Sequence, residues 1–135
     1  MKTTLVQGNV IIGVDFDGTI TTERDMGHTL VLRDNCKECL TWLHNRGVHL
    51  VLWTCRTGNA LEEALEFLND HEMSHLFVAI NDQIPSVVEM YPDTARKLGA
   101  DFYIDDKNIF MSEVDWHDIY DHLVEKLQLS EWGKQ

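Results

Sequence analysis

An apolar run from Val10 to Val14 stops abruptly on Asp15, and this junction limits the folds open to the chain. An uninterrupted apolar stretch of strand length suits a β-strand covered on both faces, as in a parallel sheet with helices on either side. Further strand-length runs follow at Val48 to Trp53, Leu76 to Ile80 and Phe102 to Ile104. The segments between them carry helical spacing, and this alternation predicts an α/β domain with a mostly parallel central sheet.

Helix signals sit where that plan needs them. Asn35 with Glu38 resembles a capping pair, Cys36, Cys39, Leu40 and Leu43 share one helical face, and Gly47 can end the helix. Asn59 with Glu62 forms a second capping pair before the stripe Leu61, Ala64, Leu65 and Leu68. Pro92 and Asp93 predict a short helix stopping at Gly99, and a last helix is expected over Ile119 to Leu127. The connections 21–34 and 81–92 are long enough only for flaps or turns. The expected organisation is a tail over 1–9, a single domain over 10–130 and a tail over 131–135, in keeping with a chain of 135 residues.

Charge narrows the function classes. Eleven Lys and Arg stand against 23 Asp and Glu, a formal charge of −12, which repels a nucleic-acid backbone at long range. Broad nucleic-acid binding is therefore not expected. No apolar stretch reaches the ~18 residues of a membrane span, so no membrane partner is expected either. The cysteines Cys36, Cys39 and Cys55 are odd in number, and the first residues lack a long apolar core, which predicts a reduced, cytoplasmic protein.

The chemistry-bearing residues fall at the carboxyl ends of the expected strands, where open parallel sheets bind ligands. The first strand delivers Asp15-Phe16-Asp17-Gly18-Thr19, the second Thr54-Cys55-Arg56, and the fourth Asp105-Asp106, preceded by Lys97. Carboxylates two residues apart in extended chain point the same way, and Gly18 permits a sharp exit. Four carboxylates on one rim raise one another's pKa unless a cation joins them, and a hard cation such as Mg²⁺ fits that need. In this arrangement Asp15 is the best-placed nucleophile and Asp17 suits the acid/base role. Thr54 and Lys97 would hold phosphoryl oxygens. The expected substrate is a small phosphorylated molecule, a nucleotide among the candidates.

These motifs, in this order, resemble the haloacid dehalogenase superfamily of phosphohydrolases. The first motif stands as Ile11-Ile12-Gly13-Val14-Asp15-Phe16-Asp17-Gly18-Thr19-Ile20, the second as Val51-Leu52-Trp53-Thr54, followed by Lys97 and the pair Asp105-Asp106. The resemblance implies a Rossmann-like three-layer α/β sandwich. It also implies Asp15 as nucleophile and metal ligand, and Asp17 as acid/base that also lends its backbone carbonyl to Mg²⁺. It makes Asp106 the metal ligand and Asp105 the residue behind it, and places Gly18, Thr54, Arg56 and Lys97 on the substrate side. Most members carry a cap domain, and neither connection here is long enough for one. The chain thus resembles small capless members and, in its Asp-Asp pair, deoxyribonucleotidases and polynucleotide phosphatases. Its open cleft would be covered by a neighbouring subunit if by anything, so a homo-oligomer is one expectation. Arg56, Asn81 and Asp82 follow strand ends and are candidates to read the group attached to the phosphate. Structural pairing of Arg56 with a nearby acid is an equal alternative.

Other patterns carry less. His71-Glu72-Met73-Ser74-His75 matches a zinc-protease pattern, but lies where a helix should be ending, which favours structural histidines. Cys36 and Cys39 occupy a buried stripe and read as core residues. Trp116 and His117 are unassigned. Two rival readings remain: a receiver-like phospho-acceptor module, and a metal- and phosphate-binding relative without turnover.

Overall fold

The computed structural model describes residues 10–24, 27, 29–90, 97–109 and 113–128. Four strands form one parallel sheet: β1 (Ile11–Val14), β2 (His49–Leu52), β3 (Phe77–Ile80) and β4 (Phe102–Ile104), in the order β3-β2-β1-β4. Helices α1 (Cys36–Asn45) and α2 (Gly58–Asp70) follow β1 and β2. Helix α3 (Pro85–Met90) lies between β3 and β4, and α4 (Trp116–Leu127) closes the described chain. This is a small Rossmann-like α/β fold, with no cap domain among the described residues.

The sheet separates two apolar layers. On one side Ile12, Val14, Leu50, Leu52 and Ile104 pack with Leu40 and Leu43 of α1, Ala64 and Leu68 of α2, and Ile119 and Leu123 of α4. On the other, Ile11 and Val51 meet Ile84 and Leu98. Residues of opposite parity along each strand thus face opposite layers, as the pleat requires. Both layers reach β1, and all four of its residues are buried, as the apolar run predicted.

Several element boundaries differ from the sequence reading for local reasons. Segment 81–92 is not turns alone, because Pro85 supplies a residue suited to a first helical turn and α3 forms there. Helix α2 begins at Gly58 with Thr57 before it, so Asn59 lies inside the helix and does not cap it. Asn35 does precede α1, but in left-handed backbone (φ 66°) with no side-chain cap. Leu76 belongs to a short 3-10 turn that leads into β3. Helix α4 starts at Trp116, ahead of Ile119, because the Asp115 side chain accepts hydrogen bonds from His117 N and Asp118 N and caps it. The helix expected from Pro92 lies mostly outside the described residues, and its expected end, residues 97–99, is not helical.

The two ends of connection 21–34 are paired with each other. Thr21 and Leu32 form an antiparallel bridge, Thr22 N donates to Val31 O at 3.0 Å, and Arg33 N donates to Ile20 O at 2.9 Å. Arg33 braces the loop beneath it, giving Gly18 O bonds of 3.1 and 2.9 Å from Nε and Nη2.

Candidate metal centre

Sheet topology brings the acidic residues together. From β1 the chain moves toward β2 and β3, whereas β4 lies on the opposite flank of β1, so the topological switch point falls between β1 and β4. Val14 pairs with Leu52 on one side and Ile104 on the other, which brings Asp15, Trp53 and Asp105 level at the carboxyl edge. The ladder continues one step further: Asp15 N donates to Ile104 O at 2.9 Å and Trp53 N to Val14 O at 2.8 Å.

Carboxylate oxygens of Asp15, Asp105 and Asp106 all lie within 4.8 Å of one another. Asp15 is half-buried, Asp105 exposed and Asp106 buried. Burial, then the charge of Asp105, then Asp106, pushes the Asp15 carboxyl up from 3.8 to about 7, against a lowering bond from Thr19 Oγ1 to Asp15 Oδ2 of 3.1 Å. The Asp106 side chain is 2% exposed, and neither of its oxygens has an aligned hydrogen-bond donor. Among the described residues its cationic neighbour is Arg24, whose Nε sits 2.8 Å from Oδ2 as an ion-pair contact and whose Nη2 donates to Asp106 O at 3.0 Å. Gly18 makes this approach feasible. At φ 76°, a Cβ there would lie 2.5 Å from Asp106 Oδ2 and 2.7 Å from Arg24 Cγ.

A buried carboxylate oxygen without a donor is costly, and two further carboxylates beside it add to the cost. An all-oxygen donor set of this kind suits a hard divalent cation, so the residues fit the metal that the sequence motifs imply. Asp15, Asp105 and Asp106 are the side chains that would hold it. The side chain of Asp17 is not part of this group, because Arg56 holds it. Arg56 donates from Nε to Asp17 Oδ2 and from Nη2 to Oδ1, each at 2.8 Å. Its Nη1 bonds Ala60 O at 2.9 Å, and its guanidinium lies over the Phe16 ring. The bond to Asp17 raises the Arg56 pKa above its ordinary value. With its side chain 2% exposed, Arg56 pairs with Asp17, which is the structural alternative weighed for it.

The remaining expected residues are distributed around this edge. Thr54 follows β2; its amide donates to Asn81 Oδ1 at 2.7 Å, and its hydroxyl accepts from Arg56 N at 3.2 Å. Asn81 thereby ties the end of β3 to the end of β2. Asp82 is exposed and accepts from Gln83 N. Lys97 is exposed, its ammonium 5.4 Å from the centre of the Tyr103 ring, and it forms no ion pair with the acidic centre among the described residues. Arg24 was not singled out from sequence, and Thr19 was named within the first motif without a role of its own. A basic residue soon after an acidic strand end, in so acidic a chain, was the available signal for Arg24.

The secondary motifs are structural. Glu72 has φ 57° and breaks the helix between His71 and His75, His71 Nδ1 contacts Phe67 O at 3.0 Å, and His75 lies against the His44 ring. Cys36 and Cys39 are buried, and burial pushes the thiol of each upward, Cys39 to about 12. Trp116 is core, and its Nε1 donates to Thr19 O at 2.8 Å. A cavity of about 780 Å³ opens beside connection 21–34, lined by Thr22, Arg33, Asp34, Glu113 and Asp118 among others. None of the three clustered aspartates lines it.

Fold and site together define a small Rossmann-like α/β domain with an acidic centre at the carboxyl edge of its sheet. The chain is 34% identical to a solved structure from Bacteroides thetaiotaomicron described as a conserved protein coded by a locus of that organism, covering 88% of this chain and 93% of that one with a TM-score of 0.73. The chain belongs to the same family as that conserved protein. No known family profile and no curated protein matches it. No described helix is long and apolar enough to cross a membrane.

Proposed function

We propose that the protein is a Mg²⁺-dependent phosphomonoesterase of haloacid dehalogenase type, working through an aspartyl-phosphate on Asp15. One observation carries the reading. The carboxylates of Asp15, Asp105 and Asp106 converge within 4.8 Å at the sheet's switch point, on the motif order that prompted the resemblance.

Bound there, Mg²⁺ would neutralise charge on the carboxylates and on a phosphoryl group. The chain's own residues do the rest. Asp15 is fixed by a central strand, and one carboxylate oxygen would attack phosphorus as the bond to the leaving alkoxide breaks. Asp17 would protonate that alkoxide, then take a proton from the water that hydrolyses the acyl phosphate, returning Asp15 and inorganic phosphate. The Arg56 fork uses one lone pair on each Asp17 oxygen, leaving another on each for this proton. Thr54 and Lys97 are the candidate contacts to phosphoryl oxygens. A small phosphorylated molecule, with nucleotides and sugar phosphates as candidates, is the proposed substrate.

The grip of Arg56 on Asp17 favours one alternative, a module that binds metal and phosphate, or accepts one phosphoryl group, without turnover. Phosphate release from a panel of monoesters, with and without Mg²⁺, separates the readings. Many equivalents per chain, lost without Mg²⁺ and lost in Asp15→Asn, is the expected result. Release of one equivalent or none supports the alternative, and full turnover by Asp15→Asn overturns the assignment of the nucleophile.

A further inference from the structure

Arg24 and the acidic centre make conflicting claims on one carboxylate. Asp106 is sealed in, its side chain 2% exposed, whereas the Arg24 side chain is 51% exposed. Of the two, Arg24 is the group that can leave at small cost, since its guanidinium would return to water while Asp106 would stay buried and unpaired. The contact is specific. Nε meets Oδ2 at 2.8 Å and Nη2 bonds the Asp106 carbonyl at 3.0 Å, over a glycine whose missing side chain makes room for both. Asp106 is also the most buried of the three carboxylates that converge, and a divalent ion placed among them would lie beside the same oxygens. A guanidinium and a divalent cation repel one another at that range, and the low-dielectric surroundings weaken the repulsion little.

We propose that Arg24 competes with the divalent cation for Asp106, so that metal entry displaces the guanidinium from the carboxylate and releases the side chain that carries it. The proposal rests on the reading of Asp15, Asp105 and Asp106 as a metal centre. Arg24 is then a positioning residue that sets the metal affinity of the centre through Asp106.

The test uses Mn²⁺ as probe, with the free ion counted by electron paramagnetic resonance in titrations of the full chain. Arg24→Gln is expected to bind Mn²⁺ about fivefold more tightly than the wild type, the scale of one partly exposed ion pair. Arg24→Lys, which keeps the charge without the fork, is expected between the two. Lys107→Gln removes an equal charge from the exposed turn after β4 and is expected to change affinity by less than about twofold. In the wild type, the Arg24 Nε–H resonance, assigned by its absence from Arg24→Lys, is expected to shift on saturation with Mg²⁺. Unchanged or weaker binding by Arg24→Gln, an equal gain from Lys107→Gln, or an Nε–H signal unmoved by Mg²⁺ each overturns the proposal. Equal Mn²⁺ binding by wild type and Asp106→Asn would instead overturn the metal reading itself.

Discussion

Arg56 holds Asp17 through two parallel hydrogen bonds of 2.8 Å, and both partners are largely withdrawn from water. Planar, two-point pairing of this kind suits a guanidinium and not an ammonium. Removing Arg56 strands the Asp17 charge, whereas Arg56 without Asp17 keeps Glu63 at 3.6 Å. Arg56→Met is expected to lower stability by about 3 kcal/mol. Urea denaturation of Arg56→Met, Asp17→Asn and the double variant checks this, and the double variant should be more stable than the two single losses predict by addition. A test of Asp17 as acid/base therefore needs its melting temperature measured alongside its activity.

Asp15 is expected to make function and stability oppose one another. Its carboxyl titrates near 7, raised from 3.8 chiefly by burial. A carboxyl whose pKa rises on folding contributes its stability below the unfolded value and loses it as pH climbs through the folded one. In chelator, the melting temperature of the wild type should fall relative to Asp15→Asn between about pH 4 and pH 8. Excess Mg²⁺ should shrink that difference, because a cation favours the charged form. The same Asp15→Asn chain should release phosphate at least about 10³-fold more slowly.

Gly18→Ala probes the close approach beneath connection 21–34. The residue has φ 76°, and a Cβ would meet Asp106 Oδ2 at 2.5 Å. The backbone cost alone is about 1–2 kcal/mol, and the buried carboxylate must also shift. Differential scanning calorimetry should show the loss, and Mn²⁺ titration should show weakened binding.

Thiol reactivity should divide one against two. Cys55 is exposed, and Cys36 and Cys39 are buried with their thiols pushed well above the usual range. In native buffer at pH 8 a disulfide reagent should modify Cys55 alone, and Cys36 and Cys39 should react only in denaturant. Mass spectrometry of the labelled chain reports this directly.

The layout of the site was legible because strand ends are written in local sequence. The run that halts at Asp15, and those before Thr54 and Asp105, mark where polar groups leave a buried sheet. The partners of these groups were not legible. Arg56 meets Asp17 across 39 positions and Arg24 meets Asp106 across 82, and nothing local in either segment records the pairing. Sequence reasoning left Arg56 between ligand and structural roles, and the structure pairs it with Asp17. Helix α3 was overlooked because the helix-opening role given to Pro92 was not extended to Pro85, and six residues are too few for a clear helical stripe. Capping by Asn59 failed for a similar reason: Thr57 and Gly58 offered an earlier start, and propensity alone could not rank the two.

The position of β1 between two paired neighbours divides the acidic centre into a fixed part and an adjustable part. Asp15 continues a strand hydrogen-bonded on both flanks, so its backbone should be among the last to exchange amide hydrogen for deuterium. Asp105 and Asp106 leave a three-residue strand at the border of the sheet, paired on one flank among the described residues. Small rearrangements that fit ions of different radius would therefore fall to the bordering pair, leaving the Asp15 carboxylate still.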